Sequence, residues 1–307
     1  MVTGDLSSAE ATITVPVVRS LVETQFPRWA GLAIEPAPAQ GVDNATYRLG
    51  PDMSVRLPRF ARWIGQVTRE QEWLPRLAPQ LPLPVPVPLA EGEPGAGYPF
   101  PWSVYRWLPG GPVEPGRVEG VAAALAGFFA ALHGLDATGG PPPQWSNGFR
   151  GVSMTDERDS AIAPARLAPR IEAVAGPVDL DAVAAVWETA RAAPPWEGPP
   201  VWIHGDPAPA NLLSRNGRLS AVVDFGTLAV GDPACDLIAA WSVLSAEGRA
   251  EYRKTLDIDD ATWARGRGWG LTAVLPSRAE LTDPDPARVA AARRRLDELV
   301  ADHTSSR

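Results

Sequence analysis

The stretch that decides the fold is His204-Gly205-Asp206-Pro207-Ala208-Pro209-Ala210-Asn211, followed after a short interval by Asp224-Phe225-Gly226. In magnesium-dependent phosphoryl transfer, a protein must place a hydroxyl group, accept its proton and hold the metal ions that neutralise the phosphates. Asp206 suits the position of the base. Asn211 and Asp224 offer the oxygen ligands that Mg²⁺ takes. The residue types and their order therefore predict a site for this chemistry.

The residues around this stretch predict how its members come together. The apolar run 199–203 predicts a buried strand that ends at His204. Two further apolar runs, 212–214 and 219–223, flank an Asn-Gly pair, which is the strongest short signal for a β-hairpin. We expect this hairpin to bring Asp224 beside Asn211. Each residue type alone is common in turns, but the ordered set at strand ends favours a catalytic site.

Three motifs follow one another along the chain: His204-Gly205-Asp206 with Asn211, Asp224-Phe225-Gly226, and Gly231-Asp232-Pro233-Ala234-Cys235-Asp236-Leu237. This series resembles the aminoglycoside phosphotransferase family, small-molecule kinases with a protein-kinase-like fold. Protein kinases usually have His-Arg-Asp where this chain has Gly205, so the resemblance favours the small-molecule branch. It covers roughly Gly41 to Trp241 and is strongest from His204 to Leu237.

The resemblance implies an α+β, protein-kinase-like bilobal fold. A small β-rich N-terminal lobe, residues 1–108, would bind the nucleotide and end in the hinge, and a larger, mainly helical lobe, residues 109–307, would carry catalysis and bind the substrate. Asp206 would be the catalytic base, Asn211 and Asp224 the magnesium ligands, and His204 and Asp236 supports of the catalytic loop. Asp236 also stands in the first turn of an apolar helix, where a carboxylate is favourable, and the two roles are compatible.

Composition points to a cytoplasmic enzyme. A chain of 307 residues can bury a large core and its length suggests two lobes. The one cysteine, Cys235, excludes an intrachain disulfide and fits a reducing compartment. We see no signal peptide and no apolar run of membrane-spanning length. The net charge of −8 argues against a nucleic-acid partner and mildly favours a cationic small molecule, and no obligate protein partner is evident.

The positive charge is almost all arginine, because Lys254 is the only lysine. A P-loop kinase is excluded, since its phosphate-binding motif requires Gly-Lys-Ser/Thr. The lysine that kinases carry on their third strand is also missing, and Arg56 on the predicted strand 53–59 takes its place. By resemblance, Glu70 on the following helix, 64–74, pairs with Arg56, with Glu72 as the alternative. Arginine keeps its charge and can fork onto phosphate oxygens, but it is not a simple substitute for lysine. In the alternative, Arg56 is a surface arginine of the strand and Arg59 contacts phosphate instead.

Two further segments are candidates for nucleotide binding. The loop 39–47 stands where a nucleotide-covering loop is expected, and backbone donors of such a loop can meet phosphates. Gly41, Asn44 and Thr46 are its candidates, with an ordinary hairpin as the alternative. The run 98–108 predicts the last strand of the lobe and the hinge. By resemblance, Tyr105 is the gatekeeper, the Arg106 carbonyl meets the adenine amino group, and the Leu108 amide meets a ring nitrogen.

The C-terminal half predicts helices over 118–133, 180–192, 249–270 and 286–303. The stretch 144–159 belongs to the part that shapes the substrate pocket in related enzymes. Its acidic residues, Asp156, Glu157 and Asp159, would suit an amine-bearing substrate, and a solvated helix start explains them equally well.

The expected activity is transfer of the γ-phosphoryl group of ATP, or alternatively GTP, to a hydroxyl of a small molecule, with Mg²⁺ as cofactor. An aminoglycoside or other antibiotic is the first candidate acceptor, so the expected role is resistance or self-protection. The C-terminal residues 301–307 lack the acidic and aromatic tail of the 3′-phosphorylating aminoglycoside enzymes. A metabolite kinase of the choline, homoserine or methylthioribose type is the second candidate, and a nucleotide-binding pseudokinase the third.

Overall fold

Val55 and Leu57 are fully buried, whereas Arg56 between them lies on the opposite face of its strand, as a period of two residues predicts. This strand is central in an antiparallel sheet with the spatial order β1-β2-β3-β5-β4. The strands are β1 (Ile34–Pro36), β2 (Asn44–Leu49), β3 (Met53–Pro58), β4 (Pro88–Gly92) and β5 (Trp102–Arg106).

The computed structural model describes residues 10–38, 40–156, 164–174, 179–275 and 285–305. The chain forms two compact units. The first unit comprises Met1–Pro109 together with Asp224–Gly226, and the second comprises Gly110–Val223 and Thr227–Arg307. The lobe boundary predicted from the sequence, after residue 108, lies one residue earlier in the chain, and the inclusion of 224–226 in the first unit was not predicted.

Two helices complete the first unit, α1 (Val15–Gln25) and α2 (Ile64–Leu77). Val18, Leu21 and Val22 of α1 are buried in one core with the apolar face of the sheet. Helix α2 begins at the predicted residue, Ile64, and ends three residues later than the predicted Leu74. Within the run 98–108, predicted as the last strand and the hinge, strand β5 begins only at Trp102, because Pro99 and Pro101 have no backbone N–H to donate to a sheet ladder.

The second unit is mainly helical. Its helices are α3 (Val121–His133), α4 (Pro164–Val174), α5 (Leu180–Ala192), α6 (Ile238–Ser242), α7 (Ala246–Thr255), α8 (Asp260–Val274) and α9 (Pro286–Ser305). The antiparallel sheet of the first unit and the helices of the second confirm the α+β class. Among the described residues, no helix combines the length and the apolar character needed to cross a membrane.

Two predicted helices have different bounds for local reasons. The helix predicted over 249–270 is two helices, α7 and α8, because Asp257 adopts a left-handed backbone with φ 52°. The side chain of Asp259 then accepts the Thr262 N–H at 2.7 Å and caps the start of α8. Helix α3 begins at Val121 instead of residue 118, because Gly120 before it is also left-handed, with φ 61°.

Short strands flank the motif residues of the second unit. Strand β7 (Val201–Ile203) pairs with β10 (Ala229–Gly231), and a second sheet has the order β6-β8-β9. The strands of that sheet are β6 (Gly111–Pro112), β8 (Leu212–Arg215) and β9 (Arg218–Val222). The β8–β9 hairpin turns at Asn216 and Gly217, whose φ angles of 53° and 76° are positive, as its type of tight turn requires.

Candidate active site

The loop that follows β7 is held by one buried carboxylate. Asp236 Oδ2 accepts the backbone N–H of His204 at 3.0 Å, and its Oδ1 accepts the backbone N–H of Gly205 at 2.7 Å. His133 Nε2 lies 3.0 Å from Oδ2. Asp236 is 0% exposed. Because burial removes water from the carboxylate, these partners supply the hydrogen bonds that water would otherwise make. The resemblance implies that Asp236 supports this loop, and these hydrogen bonds are the contacts through which it would do so.

His204 supports the same loop from the other side. Its Nδ1 accepts the backbone N–H of Asp206 at 3.1 Å, so its Nε2 carries the proton and donates to the Val223 carbonyl at 3.0 Å. The ring is fully buried. His204 therefore joins the backbone before Asp206 to the end of the β8–β9 hairpin.

The carboxylate of Asp206 is accessible, with a side chain 34% exposed. Asn211 Nδ2 donates to the Asp206 backbone oxygen at 2.9 Å and to its Oδ2 at 3.3 Å. The Val223 N–H donates to the Asn211 carbonyl at 2.8 Å. The hairpin thus brings Val223, the residue directly before Asp224, onto Asn211.

Arg150 also contacts Asp206, and the sequence analysis assigned it no role. Its Nη2 lies 3.1 Å from Asp206 Oδ1, and its side chain is only 17% exposed. Arg150 belongs to the stretch 144–159, but its distance from Asp206 in sequence leaves no spacing signal that could have identified the pair.

In the first unit, Arg56 bridges two carboxylates. Its Nη1 lies 3.2 Å from Glu70 Oε1 and its Nη2 lies 2.9 Å from Asp224 Oδ1. Burial alone would lower the pKa of the Arg56 guanidinium, but the charges of Glu70 and Asp224 outweigh it and raise that pKa above its usual value. The ion pair that we expected between Arg56 and Glu70 is present, whereas Glu72, the alternative partner, is exposed. The contact with Asp224 was not foreseen.

Tyr105 closes this cluster. Its hydroxyl donates to Glu70 Oε2, and the Arg56 guanidinium lies 5.7 Å from its ring centroid. Burial, together with the Glu70 carboxylate, raises the pKa of Tyr105 well above its usual value. Tyr105 therefore stays a hydroxyl donor at neutral pH and helps to hold Glu70 in place for Arg56.

Helix α2 presents two more polar side chains on the face that carries Glu70. Gln66 Nε2 donates to Asp43 Oδ2 at 3.1 Å, and the Asn44 amide donates to Gln66 Oε1 at 3.5 Å. Arg69 donates to the Gly226 carbonyl. Positions three and four residues apart share one helix face, so one face of α2 contacts the loop before β2, the Asp224–Gly226 segment and Arg56.

The other residues predicted for the loop 39–47 have internal partners. The Gly41 carbonyl accepts Arg59 Nε at 3.2 Å, and Arg59 also pairs with Glu10 at 3.1 Å. The Thr46 N–H donates to Gln40 Oε1 at 3.1 Å. These contacts order the loop, and its contact with phosphate stays a prediction.

The remaining predicted residues are placed as follows. Arg106 ends β5 with an exposed side chain, and Leu108 follows in irregular chain, half-buried. Asp156 is half-buried, and its backbone N–H donates to the Ser153 carbonyl at 2.9 Å. Glu157 and Asp159 lie outside the described residues. The hinge and substrate roles of these residues stay predictions.

Asn211 and Asp224 are each oxygen donors of the kind that Mg²⁺ takes. The amide nitrogen of Asn211 donates to Asp206, and among the described residues nothing donates to its amide oxygen. Asp224 adds a carboxylate whose side chain is 44% exposed. No three His, Cys, Asp or Glu residues of the described chain are gathered for a metal. Mg²⁺ usually takes one or two carboxylates and completes its shell with waters and phosphates, so the Asp224 carboxylate is of the type that could serve it.

Comparison with known families decides the class of this protein. Residues 35–269 match the model of the phosphotransferase enzyme family, APH. The chain belongs to this family. The match covers the sheet, the loop after β7 and all three motifs, and it confirms the resemblance to the aminoglycoside phosphotransferases. A search of curated proteins found no matching sequence.

Solved structures of this family share the fold. The GDP complex of the F108L mutant of aminoglycoside 2′-phosphotransferase-IIIa superposes with a TM-score of 0.66 at 18% identity, covering 95% of this chain and 99% of the other. The macrolide 2′-phosphotransferase MphH from Brachybacterium faecium gives 0.55 at 22% identity, covering 92% and 98%. The streptomycin-ATP-APH(2″)-IIa ternary complex gives 0.55 at 17% identity, covering 86% and 88%. At these identities the likeness shows the protein-kinase-like fold alone.

The support that Asp236 gives to the loop after β7 can be tested by measuring the free energy of unfolding. Asp236→Ala leaves the two backbone N–H groups of His204 and Gly205 buried without an acceptor. At about 1–3 kcal/mol for each group, the free energy of unfolding should fall by about 2–6 kcal/mol. Urea denaturation followed by tryptophan fluorescence measures this change.

Asp259→Ala is the matched control for that measurement, because it also removes a carboxylate that accepts a backbone N–H, but at an exposed helix start. Loss of this cap should cost about 0.5–2 kcal/mol. If the Asp236 variant loses no more stability than the Asp259 variant, the buried carboxylate does not hold the loop.

Proposed function

We propose that this phosphotransferase moves the γ-phosphoryl group of ATP or GTP to a hydroxyl of a small molecule, with Mg²⁺, and that the acceptor is an aminoglycoside or another antibiotic. The observation that supports this most is the Asp206 carboxylate, which is accessible to solvent while its loop is anchored on the buried Asp236 and His204. An accessible carboxylate on a rigid loop is what a catalytic base requires.

Asp206 accepts the proton of the acceptor hydroxyl in this proposal. In phosphoryl transfer the transition state is loose, so correct placement of the hydroxyl contributes more than its early deprotonation. Asn211 supports that placement, because its amide nitrogen bonds both the backbone and the carboxylate of Asp206. Rotation of the Asp206 side chain away from the acceptor would break one of these bonds.

Asn211 and Asp224 would hold the magnesium ion through their side-chain oxygens. A bound Mg²⁺ neutralises negative charge on the phosphates of the nucleotide. Arg56 would add a second positive charge for the phosphates, and it suits this because its planar guanidinium can fork onto two oxygens. Glu70 and Tyr105 hold Arg56 in the first unit. We assign nucleotide binding to residues 1–108 and acceptor binding to residues 109–307 on this basis.

The structural neighbours support the acceptor class and leave both nucleotides open. One aminoglycoside enzyme among them is in complex with GDP, another is in complex with ATP and streptomycin, and two more are macrolide phosphotransferases. The net charge of −8 is favourable for a cationic acceptor such as an aminoglycoside. Asp156 is the described acidic residue of the stretch 144–159 that would meet an amine of such a molecule.

A nucleotide-release assay on the purified protein tests the proposal. Its acceptors are kanamycin, gentamicin, streptomycin and a macrolide, the ligand classes named for the structural neighbours, together with choline, homoserine and methylthioribose, each with Mg·ATP and Mg·GTP. We expect turnover on at least one antibiotic. Asp206→Ala should lower kcat on that acceptor by roughly 10²–10⁴-fold and leave nucleotide binding unchanged.

Asp181→Ala, an exposed aspartate in the first turn of α5, is the control and should keep wild-type turnover. Turnover on a metabolite without turnover on any antibiotic would identify a metabolite kinase instead. Full activity of the Asp206 variant would contradict the assignment of the base.

The metal ligands can be tested by magnesium titration. Asp224→Ala should abolish magnesium-dependent turnover, because it removes the one carboxylate of the proposed site. Asn211→Ala should raise the magnesium concentration needed for half-maximal rate but lower the rate less, because a neutral amide attracts a divalent ion more weakly than a carboxylate does. If both variants reach the wild-type rate at low magnesium, the metal binds elsewhere.

A double-mutant cycle tests the replacement of the strand lysine by Arg56. Arg56→Ala should raise KM for the nucleotide and lower kcat, and Glu70→Ala should reproduce much of that loss by releasing the guanidinium. The double variant should then lose much less than the sum of the two single losses, since the residues act together. Arg56→Lys keeps the charge without the forked geometry. Unchanged nucleotide kinetics in Arg56→Ala would transfer the phosphate-binding role to Arg59 or the loop 41–46.

A further inference from the structure

The turn that carries Arg150 has an unusual backbone. Phe149 adopts a left-handed conformation with φ 53°, between Gly148 at 64° and Gly151 at 84° on the far side of Arg150. A non-glycine residue in this region costs on the order of 1–3 kcal/mol and persists where the surrounding structure compensates for it, often at functional sites. The strained backbone of this turn therefore indicates that the position of the Arg150 side chain is functionally important.

The surrounding structure holds this turn firmly. Asn147, which is 2% exposed, donates from its amide to the Arg150 carbonyl at 3.2 Å and to the Thr227 carbonyl at 3.3 Å. Thr227 Oγ1 in turn donates to the His204 carbonyl at 2.7 Å. One chain of hydrogen bonds therefore connects the backbone of Arg150 to the backbone two residues before Asp206.

Gly205 leaves the space through which the Arg150 side chain reaches Asp206. A Cβ at position 205 would lie 3.2 Å from Arg150 Cδ and 3.1 Å from the Thr227 carbonyl oxygen. Both contacts are closer than ordinary packing, and φ at Gly205 is 83°. The glycine directly before Asp206 thus lets the stem of Arg150 pass, and the guanidinium ends 3.1 Å from Asp206 Oδ1.

We propose that Arg150 is a positioning residue for phosphoryl transfer, which fixes the carboxylate of Asp206 through the oxygen that Asn211 does not contact; this inference rests on the proposed function. Arg150 holds Oδ1 while Asn211 holds Oδ2. Each carboxylate oxygen has further lone pairs, so both can be held while the carboxylate still accepts the acceptor hydroxyl.

The expected effect follows from this geometry. Without Arg150, the Asp206 side chain keeps one partner and gains rotational freedom about its side-chain torsions. A catalytic group misplaced by about 1 Å can lose about 10²-fold in rate. The nucleotide should bind as before, because Arg150 acts on the carboxylate that meets the acceptor. Loss of Arg150 should therefore appear in kcat and leave KM for the nucleotide unchanged.

The experiment introduces Arg150→Ala into the wild-type protein and into the Asp206→Ala variant. The measured reaction is magnesium-dependent hydrolysis of ATP or GTP, in which water is the acceptor. In the wild-type background we expect kcat to fall by roughly 10–100-fold, with the nucleotide Kd, measured by tryptophan fluorescence, unchanged. In the Asp206→Ala background the same substitution should cost less than about twofold, because residues that act through one another are not additive. Arg150→Lys should recover part of the rate.

Arg253→Ala is the matched control, since it removes an arginine paired with the carboxylate of Asp260, between α7 and α8, and should leave kcat near the wild-type value. Thermal unfolding of each variant identifies loss of fold. If Arg150→Ala does not fold, Arg150→Lys is measured in both backgrounds, because it keeps the aliphatic stem beside Gly205.

Two results would overturn the inference: an unchanged kcat in Arg150→Ala, or equal losses in the two backgrounds, which would mean that Arg150 acts independently of Asp206. Failure of the proposed function is a different result, in which the wild type itself shows no magnesium-dependent turnover of either nucleotide. The inference would then fall with the function on which it rests.

Discussion

The hydrogen bonds from the backbone of His204 and Gly205 to the buried Asp236 carboxylate are the constraint on which the rest of the site depends. They attach the loop after β7 to the segment that leads into α6, far along the chain. A buried carboxylate keeps its charge only where such donors replace water. Because these bonds fix the backbone of His204 and Gly205, Asp206 follows from a defined backbone position. Arg150 and Asn211 then fix its side chain.

The cluster around Arg56 balances the charge of an arginine that stands where related kinases have a lysine. A chain with one lysine has no ammonium group on β3 and places a guanidinium there instead. Arginine is larger and has more donors than lysine, and two carboxylates and a tyrosine surround it. The same arginine therefore pairs with the helix carboxylate, Glu70, and with Asp224, our candidate magnesium ligand. Under the proposed function, binding of a metal ion and a nucleotide would have to redistribute the charges around Arg56.

Helix α2 and the turn at Arg150 play comparable parts in their own units. Gln66, Arg69 and Glu70 use one helix face to hold three separate segments of the first unit. Asn147 and Arg150 connect one turn to the loop of Asp206 in the second unit. In both units, polar side chains outside the sequence motifs orient the residues that belong to them. Such support limits the displacement of a catalytic group from its reactive position, and the reaction rate falls as that displacement grows.

The sequence by itself determined the features that local patterns encode. The order of His204, Asp206, Asn211 and Asp224 predicted the chemistry and the family, the alternation around Arg56 predicted its strand, and the Asn-Gly pair predicted the β8–β9 hairpin. Only the tertiary structure decided that Arg56 also meets Asp224, that Arg69 meets Gly226 and that Arg150 meets Asp206. These partners come from distant segments, and no periodicity or spacing records which arginine among many reaches which carboxylate. That choice depends on the space left by residues such as Gly205 and on the path of the folded backbone, which exist only once each unit has folded.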